Sequence, residues 1–261
     1  MTKTADAARP RSTPATSFGF RDVAENERQG LVNEVFSKVA ERYDQMNDLM
    51  SAGLHRLWKD DFVAMLNPPL GQAPFHHLDV AGGTGDIAFR IARVGGPNVR
   101  VTVTDISPEM VGEGRKRAEA DGLLGRCSFS VGNAEALPFP DKSFDLVTIA
   151  FGLRNVTDKA KALRDMHRVL KVGGRVLVLE FSQVKPEWFR PIYDFHSFKI
   201  LPKLGKLFAN DSDSDQYLAE SIRKHPNQEG LQAMMAEAGF GRCSHRNLSG
   251  GIVAIHSAYR I

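Results

Sequence analysis

Residues 78–86, which read LDVAGGTGD, constrain the possible folds of this chain more than any other stretch. The apolar beginning predicts a buried strand, the glycines predict a tight turn, and a helix is expected to begin near Thr84. Because glycine has no Cβ, such a turn allows the backbone to approach a bound cofactor closely. The stretch therefore predicts a binding loop at the carboxyl end of a strand.

The remainder of the chain alternates between apolar strands and helices. Strands are predicted over residues 75–80, 99–104, 128–131, 144–151 and 175–181, helices over 87–94, 108–121, 158–170 and 228–238, and two final strands over 242–248 and 251–259. Nearly continuous apolar strands separated by helices indicate a parallel sheet that is covered on both faces. The last two strands are expected to form an antiparallel hairpin, so we predict a doubly wound, mostly parallel α/β sheet with a C-terminal hairpin.

The domain organisation is predicted from composition and periodicity. Residues 1–20 are rich in Ser, Thr, Ala and Pro and are expected to form a disordered N-terminal arm, with a short mitochondrial transit peptide as the alternative. Residues 21–261 are expected to form a single domain. Within it, residues 21–70 form a helical cap and residues 183–226 form an inserted lid over the substrate, where three prolines prevent one long helix.

Charge and cysteine content exclude several classes of function. The net charge is only +3 and the basic residues are spread out, so a nucleic-acid partner is not expected. Cys127 and Cys243 lack the spacing of a metal or redox motif, and no metal site is predicted. No apolar run is long enough to span a membrane, and the chain shows no secretory signal.

The glycine turn alone does not identify its cofactor. Gly83, Gly85 and Ala88 satisfy the dinucleotide fingerprint, and Asp105 follows Gly85 by about twenty residues, where a ribose-binding acid is expected. Both an NAD-dependent oxidoreductase and a methyltransferase that uses S-adenosylmethionine need such an acid. Both hypotheses therefore remain open on these residues alone.

Three further features favour the methyl donor. Asp79 and Asp86 flank the turn with negative charge, which would repel a pyrophosphate and attract a cationic donor. Asn133 and Ala134 follow the third predicted strand, where a methyltransferase meets adenine. Residues 170–174 (LKVGG) precede the next strand in a way that is typical of class I methyltransferases.

Six segments carry a closer resemblance. They are FSKVAERYDQMND at 36–48, HRLWK at 55–59, DVAGGTGD at 79–86, GNAEALPF at 132–139, FGLRNV at 151–156 and YLAESI at 217–222. Together they resemble the C-methyltransferases of ubiquinone and menaquinone biosynthesis, the UbiE family, over about residues 18–260. The resemblance implies a class I methyltransferase (Rossmann-like) fold with S-adenosylmethionine as methyl donor. The residues it implies for the cofactor are Thr84, Asp105, Asn133 and Ala134, and the loop residues Asp79, Gly83 and Gly85 complete the predicted cofactor site. Ala150 departs from the serine that related enzymes often carry.

The resemblance also implies a reaction. The substrate is expected to be a polyprenyl benzoquinol of the 2-polyprenyl-6-methoxy-1,4-benzoquinol type, demethylmenaquinol, or both, methylated on a ring carbon. Arg154 is the first candidate to act on the neighbouring hydroxyl, as a cation that stabilises a phenolate, because arginine is a poor base. A structural salt bridge is the alternative for Arg154. Asn155 and Tyr43 are candidates for orienting substrate or closing over the cofactor, and His196 is an alternative base.

Several expectations concern partners and location. The aromatic residues and lysines of the lid could hold the lipophilic tail and meet anionic headgroups, or could simply pack as lid and core. A transient membrane-surface contact, other quinone-biosynthesis proteins and a homodimer are the partners considered. The expected location is the bacterial cytoplasm, peripheral at the inner membrane, with the mitochondrial matrix as alternative. A non-catalytic scaffold that binds the cofactor remains a rival beside the oxidoreductase.

Overall fold

The computed structural model describes residues 15–18, 21–24, 30, 53–188 and 220–261, and the structural statements below concern these residues. Tyr43, His196, residues 31–52 of the expected helical cap and most of the 183–226 lid lie outside them. Among the described helices, none combines the length and the hydropathy that are needed to cross a bilayer.

The described strands form two sheets. β1 (Ala15–Phe18) and β2 (Arg21–Ala24) pair antiparallel with each other. The second sheet has seven strands in the order β5-β4-β3-β6-β7-β9-β8. Its strands are β3 (Phe75–Val80), β4 (Val99–Asp105), β5 (Cys127–Val131), β6 (Phe144–Ala150), β7 (Leu170–Phe181), β8 (Gly241–Leu248) and β9 (Val253–Tyr259).

The pairing confirms the predicted topology. β3 to β7 are mutually parallel, and β9 runs antiparallel to both β7 and β8. From the central β3 the chain moves outward to β4 and β5, then crosses back to β6 on the other side. The strand order therefore reverses between β3 and β6, and ligands of open α/β sheets bind at the carboxyl edge beside such a reversal.

Helices cover both faces of the large sheet. They are α1 (Leu54–Leu66), α2 (Asp86–Val94), α3 (Pro108–Ala120), α4 (Lys159–Val169) and α5 (Gln228–Glu237). Buried side chains of α1, α2 and α3 form one apolar core, and those of α4 and α5 form the other. Apolar side chains of β3 and β6 contribute to both cores, whereas those of β4 contribute only to the first. The large sheet is therefore apolar on both faces near its centre.

Local sequence signals explain where several helices begin and end. The hydroxyl of Ser107 accepts a hydrogen bond from the Met110 amide at 3.2 Å, and Pro108 occupies the first helical position of α3. α1 ends at Asn67, which has a positive φ of 49° and precedes two prolines. Residues 67–69 (NPP) therefore stop the helix, because proline disfavours helical backbone at the residue before it.

Two expectations about element boundaries need correction. β1 lies inside the arm expected to be disordered, where the backbone of residues 15–18 pairs with that of 21–24. β7 begins at Leu170, although the preceding helix was expected to include residue 170 and the strand to begin only at Arg175. The Gly173 amide donates to Arg260 O at 2.7 Å and the Arg260 amide donates to Gly174 O at 2.9 Å, so pairing with the C-terminal end extends the strand across both glycines.

Candidate active site

A cavity opens at the carboxyl edge of the sheet, beside the reversal between β3 and β6. The predicted residues on its wall are Asp79, Gly83, Thr84, Asp105, Asn133, Ala134 and Asn155. Gly85 and Arg154 do not line the wall, and Tyr43 lies outside the described residues. The structure thus brings residues from four separate strand ends to one place, as the topology predicts.

The glycine turn brings backbone to the floor of the cavity. A Cβ on Gly82 would lie 2.8 Å from both Asp79 Oδ2 and Val103 Cγ1, so a side chain cannot be accommodated there without movement. Gly83 and Gly85 adopt positive φ angles of 55° and 89°, which favour glycine. Gly85 faces the core below α2 rather than the cavity, so its part is to shape the turn.

Asp79 is buried near the end of β3 and belongs to the lining of the cavity. Its Oδ1 accepts a hydrogen bond from the Thr148 hydroxyl at 2.7 Å. Its Oδ2 is buried and has no hydrogen-bond partner among the described residues. Burial raises the pKa of Asp79 to about 7, against the opposing effect of the Thr148 hydrogen bond. A cation placed beside Oδ2 would stabilise the carboxylate.

Asp86 does not supply the free negative charge beside the turn that was expected from the sequence. Its Oδ2 lies 2.7 Å from Lys59 Nζ, and its Oδ1 lies 3.0 Å from Arg90 Nε. Burial alone would raise the pKa of Asp86, but these two cations hold it below its ordinary value. Asp86 is therefore a neutralised carboxylate that ties α1 to α2, and the uncompensated negative charge at this loop comes from Asp79.

Asp105 is fixed by the backbone at the end of β4. Its Oδ2 accepts the Gly83 amide at 2.9 Å, and its Oδ1 accepts the Ser107 amide at 3.0 Å. Burial raises the pKa of Asp105, while these backbone donors oppose the rise. A carboxylate has about four acceptor positions, so each oxygen retains capacity for a ligand hydroxyl.

Thr84 lies in the turn before α2, and its side chain has a partner in α3. Thr84 Oγ1 accepts a hydrogen bond from Arg117 Nη1 at 2.7 Å. The hydroxyl keeps its own proton as a donor, because the bond from Arg117 uses only a lone pair. This orientation links α3 to the glycine turn.

Asn133 and Ala134 follow β5, as predicted, and both line the cavity. Asn133 Oδ1 accepts the Glu135 amide at 2.9 Å, which holds the side chain against its own loop. The preceding residue is Gly132, where a larger residue would not fit, because a Cβ there would approach Thr104 Oγ1 to 2.6 Å. The loop therefore packs tightly against β4 and presents backbone and amide groups to the cavity.

Arg154 adopts the salt-bridge arrangement that the sequence left as an alternative. Its Nη1 lies 2.9 Å from Glu180 Oε1 at the end of β7, and Nη1 also donates to Phe151 O. Its guanidinium carbon lies 5.3 Å from the centre of the Phe181 ring. Both charged side chains are buried, and the adjacent Asn155 lines the cavity instead.

Two groups of buried polar residues near the cavity have no signal in the sequence. His77 and Thr148 lie in the apolar core under Asp79, and only strand pairing shows that they meet. His225 is buried near Glu180, and burial lowers its pKa to about 4. A single histidine before a proline gives no sequence signal of such a position.

His76 and His77 are neighbours on β3 but lie in different environments. Alternation along β3 leaves His76 exposed and His77 buried, so the two rings face opposite sides of the sheet. Cys127 and Cys243 are both free thiols. In the described parts of the chain, no three His, Cys, Asp or Glu side chains come together in a way that could hold a metal ion.

Comparison with known families and proteins gives a consistent result. Residues 21–260 match the model of the ubiE/COQ5 methyltransferase family. A Xanthomonas oryzae protein named "Ubiquinone/menaquinone biosynthesis C-methyltransferase UbiE" is 61% identical over 252 residues, which cover 97% of this chain and 98% of that protein. A protein of the same name from Stenotrophomonas maltophilia is 60% identical with the same coverage.

Solved structures support the fold. A Thermotoga maritima structure described as an S-adenosylmethionine-dependent methyltransferase, possible histamine N-methyltransferase, is similar with a TM-score of 0.61 at 17% identity. The similarity covers 88% of this chain and 100% of that one. A methyltransferase from Aquifex aeolicus has a TM-score of 0.56 at 15% identity and covers 78% of this chain and 89% of its own.

Proposed function

Because the chain belongs to the ubiE/COQ5 methyltransferase family, we propose that it methylates a ring carbon of a polyprenyl benzoquinol, demethylmenaquinol or both. The observation that carries this proposal is the 61% identity with a UbiE C-methyltransferase over nearly the whole length of both chains. The chain is an enzyme, and S-adenosylmethionine is its methyl donor. Neither the oxidoreductase nor the non-catalytic scaffold gains support from these relatives.

The residues of the cavity fit this donor. S-adenosylmethionine carries a cationic ammonium and a cationic sulfonium, and Asp79 Oδ2 is a buried acceptor that lacks a partner among the described residues. The absence of a Cβ at Gly82 leaves room beside that oxygen. A buried carboxylate pays a large desolvation cost, which a bound cation offsets.

We propose a role for each predicted cofactor residue. Asp79 binds the ammonium, Asp105 accepts from the ribose hydroxyls, and Gly83 and Thr84 bring the glycine turn against the donor. Asn133 and Ala134 meet the adenine through amide and backbone groups, and Gly85 shapes the turn from outside the cavity. The distances between Asp105 and two backbone amides support this, because a fixed carboxylate binds a sugar without reorganising.

The bound donor supplies an electrophilic methyl group for direct displacement at carbon. The protein's own contribution is alignment, which can supply about 7–11 kcal/mol of the barrier. We propose that Asn155 and Tyr43 orient the acceptor ring. We also propose that Arg154, paired with Glu180 behind the cavity wall, supports the developing phenolate from there, through the loop that carries Asn155, while water carries the proton.

We also propose roles for the lid and for the partners of the protein. The 183–226 lid covers the lipophilic tail, and its lysines meet anionic headgroups during a transient contact with the inner membrane of a bacterium. Trp188, at the described edge of the lid, is 75% exposed, which suits an aromatic side chain at such an interface. A homodimer and contacts with other quinone-biosynthesis proteins complete this proposal.

A labelled methyl-transfer assay tests the substrate. Short-tailed analogues of a methoxybenzoquinol and of demethylmenaquinol would be incubated separately with enzyme and labelled donor. Label in either organic product supports the proposal, and the ratio of turnover numbers gives the preference. Binding of S-adenosylhomocysteine without transfer to either quinol would contradict the proposed acceptor class while leaving the donor site intact.

A further inference from the structure

A buried chain of hydrogen bonds runs beneath the glycine turn. His77 Nε2 lies 2.7 Å from Thr148 Oγ1, and Thr148 Oγ1 donates to Asp79 Oδ1 at 2.7 Å. Asp79 and Thr148 are directly paired across β3 and β6, and His77 precedes Asp79 by two positions on β3. Strand periodicity therefore places all three side chains on one face of the sheet.

When Asp79 is ionised, the donors and acceptors of these two hydrogen bonds can be assigned in only one way. A carboxylate only accepts, so the single hydroxyl proton of Thr148 is committed to Asp79 Oδ1. Thr148 Oγ1 must then accept its bond from His77, which is the tautomer protonated at Nε2. Burial lowers the pKa of His77 to about 3, so this ring is neutral and stays a donor at Nε2.

Asp79 is left with two unequal oxygens. Oδ1 is held toward β6 by Thr148, while Oδ2 has no partner among the described residues and lies beside the Gly82 backbone on the cavity floor. His77, Asp79 and Thr148 are each at most 1% exposed. Such a buried arrangement leaves the carboxylate little freedom to rotate.

We propose that Thr148 and His77 are positioning residues, which orient Asp79 so that Oδ2 points at the ammonium group of the methyl donor. The inference rests on the proposed function, since it assigns the ammonium to Asp79. Neither residue touches the donor in this account, and both act through Asp79. Their contribution is to hold the acceptor in place before the donor arrives.

Other charged and titratable groups also face Asp79. They are Lys59 from α1, Asp86 from α2, Asp105 from β4 and the Cys127 thiol from β5. The two carboxylates raise the pKa of Asp79, and Lys59 opposes them but is bonded directly to Asp86 at 2.7 Å. Among the described residues, Thr148 is therefore the side chain whose hydrogen bond most directly favours the charged form of Asp79.

A pH-dependent effect follows. The pKa of Asp79 is about 7 with Thr148 in place, and removal of the hydroxyl raises it further. The carboxyl group is then mostly neutral near pH 7 and attracts a cation poorly. At higher pH it ionises again, so the defect should shrink, whereas a purely structural defect would not follow the ionisation of Asp79.

The test is calorimetric titration of S-adenosylhomocysteine into the full-length protein at about pH 7 and about pH 9. For Thr148→Val we expect affinity to fall about tenfold or more near pH 7, with a smaller deficit near pH 9. Thr148→Ser keeps the hydroxyl and should stay close to the wild-type affinity. His77→Phe should give a smaller loss in the same direction.

Thr104→Val is the matched control. Thr104 lies on β4, is as fully buried as Thr148, and its hydroxyl has no hydrogen-bond partner among the described residues. This variant should bind like the wild type at both pH values. The ionisation of the ligand is common to all proteins and cancels in the ratio, and thermal unfolding without ligand checks that each variant folds.

The outcomes separate the inference from the function on which it rests. If Asp79→Asn loses affinity while Thr148→Val binds like the wild type at both pH values, the positioning role is wrong and the ammonium assignment stands. If Asp79→Asn keeps its affinity, the ammonium assignment itself fails. An equal loss for Thr148→Val at both pH values would also overturn the inference, since it would indicate a structural effect.

Discussion

Arg154 Nη1 lies 2.9 Å from Glu180 Oε1, and both side chains are buried beside the wall of the cavity. Glu180 also accepts the backbone amides of Arg154 at 3.2 Å and Phe181 at 2.9 Å, so the carboxylate is satisfied from three directions. The pair joins the loop after β6 to the end of β7. It therefore couples the residue proposed to support the phenolate to the body of the sheet.

This pair yields a test that separates catalysis from stability. Arg154→Met should lower the free energy of unfolding by about 3–5 kcal/mol, because Glu180 would remain as a buried, uncompensated charge. The double variant Arg154→Met/Glu180→Leu should recover much of that stability while its turnover stays low. Denaturant unfolding and turnover at saturating donor are the two measurements. Full turnover in the double variant would show that Arg154 is structural only.

Asp105 should be essential for binding the donor. Asp105→Ala removes two charge-assisted contacts to ribose hydroxyls, so affinity for S-adenosylhomocysteine should fall about a hundredfold or more. Asp121→Ala is a suitable control, because Asp121 is exposed and pairs with Arg93 away from the cavity. Calorimetry measures both variants. An affinity of Asp105→Ala within about twofold of the wild type would show that the ribose assignment is wrong.

Gly82→Ala should damage the donor site sterically. The new Cβ would lie 2.8 Å from Asp79 Oδ2 and Val103 Cγ1, so the carboxylate must move, and we expect a loss of about 1–3 kcal/mol in stability together with weaker donor binding. Gly112→Ala is the matched control: a Cβ there meets nothing within 4 Å, and alanine favours the helix. Unchanged binding by Gly82→Ala would contradict a close approach of the donor to this turn.

Stability should depend on pH through Asp79. Burial raises the pKa of Asp79 to about 7 in the folded protein, so the folded state holds this proton more tightly than the unfolded state does. This contribution makes stability fall as pH rises from about 4 to about 7. Asp79→Asn removes this pH-dependent contribution. The free energy of unfolding of the variant minus that of the wild type should therefore increase by up to about 4 kcal/mol between about pH 4 and about pH 7.

The titration of His77 does not affect the comparison between wild type and Asp79→Asn. His77 has a pKa lowered by burial to about 3, and its contribution has the opposite sign, since stability is lost as pH falls below about 6.5. His77 is present in both proteins, so its effect cancels in the difference. Urea unfolding of the ligand-free proteins across this pH range measures the effect. A difference that does not vary with pH would indicate that Asp79 has an ordinary pKa.

Most of the fold could be predicted because its signals are local. The apolar runs of β3, β4 and β6, the Ser107–Pro108 cap and the glycine turn each depend on neighbouring residues, and the parallel topology follows from their order. Seven predicted site residues line one cavity for the same reason, since parallel strands end at a common edge.

The remaining details depend on contacts between distant segments. Arg154 and Glu180 are 26 positions apart, and Lys59 and Asp86 are 27 apart, so neither ion pair has a local signal. The pair with Glu180 holds Arg154 behind the cavity wall. The pair with Lys59 neutralises the charge that was expected at Asp86. Thr148 beneath Asp79 depends likewise on the register of β3 and β6, which no pattern within either strand specifies.

The central claim is methyl transfer to carbon, and the position of the new methyl group tests it most directly. The purified enzyme would convert a short-tailed benzoquinol with a ¹³C-methyl donor, and the product would be assigned by NMR. We predict a ¹³C-methyl resonance of an aromatic C–CH₃ group with correlations to ring carbons. A resonance of a methoxy group, or no labelled product with either quinol, would contradict the account.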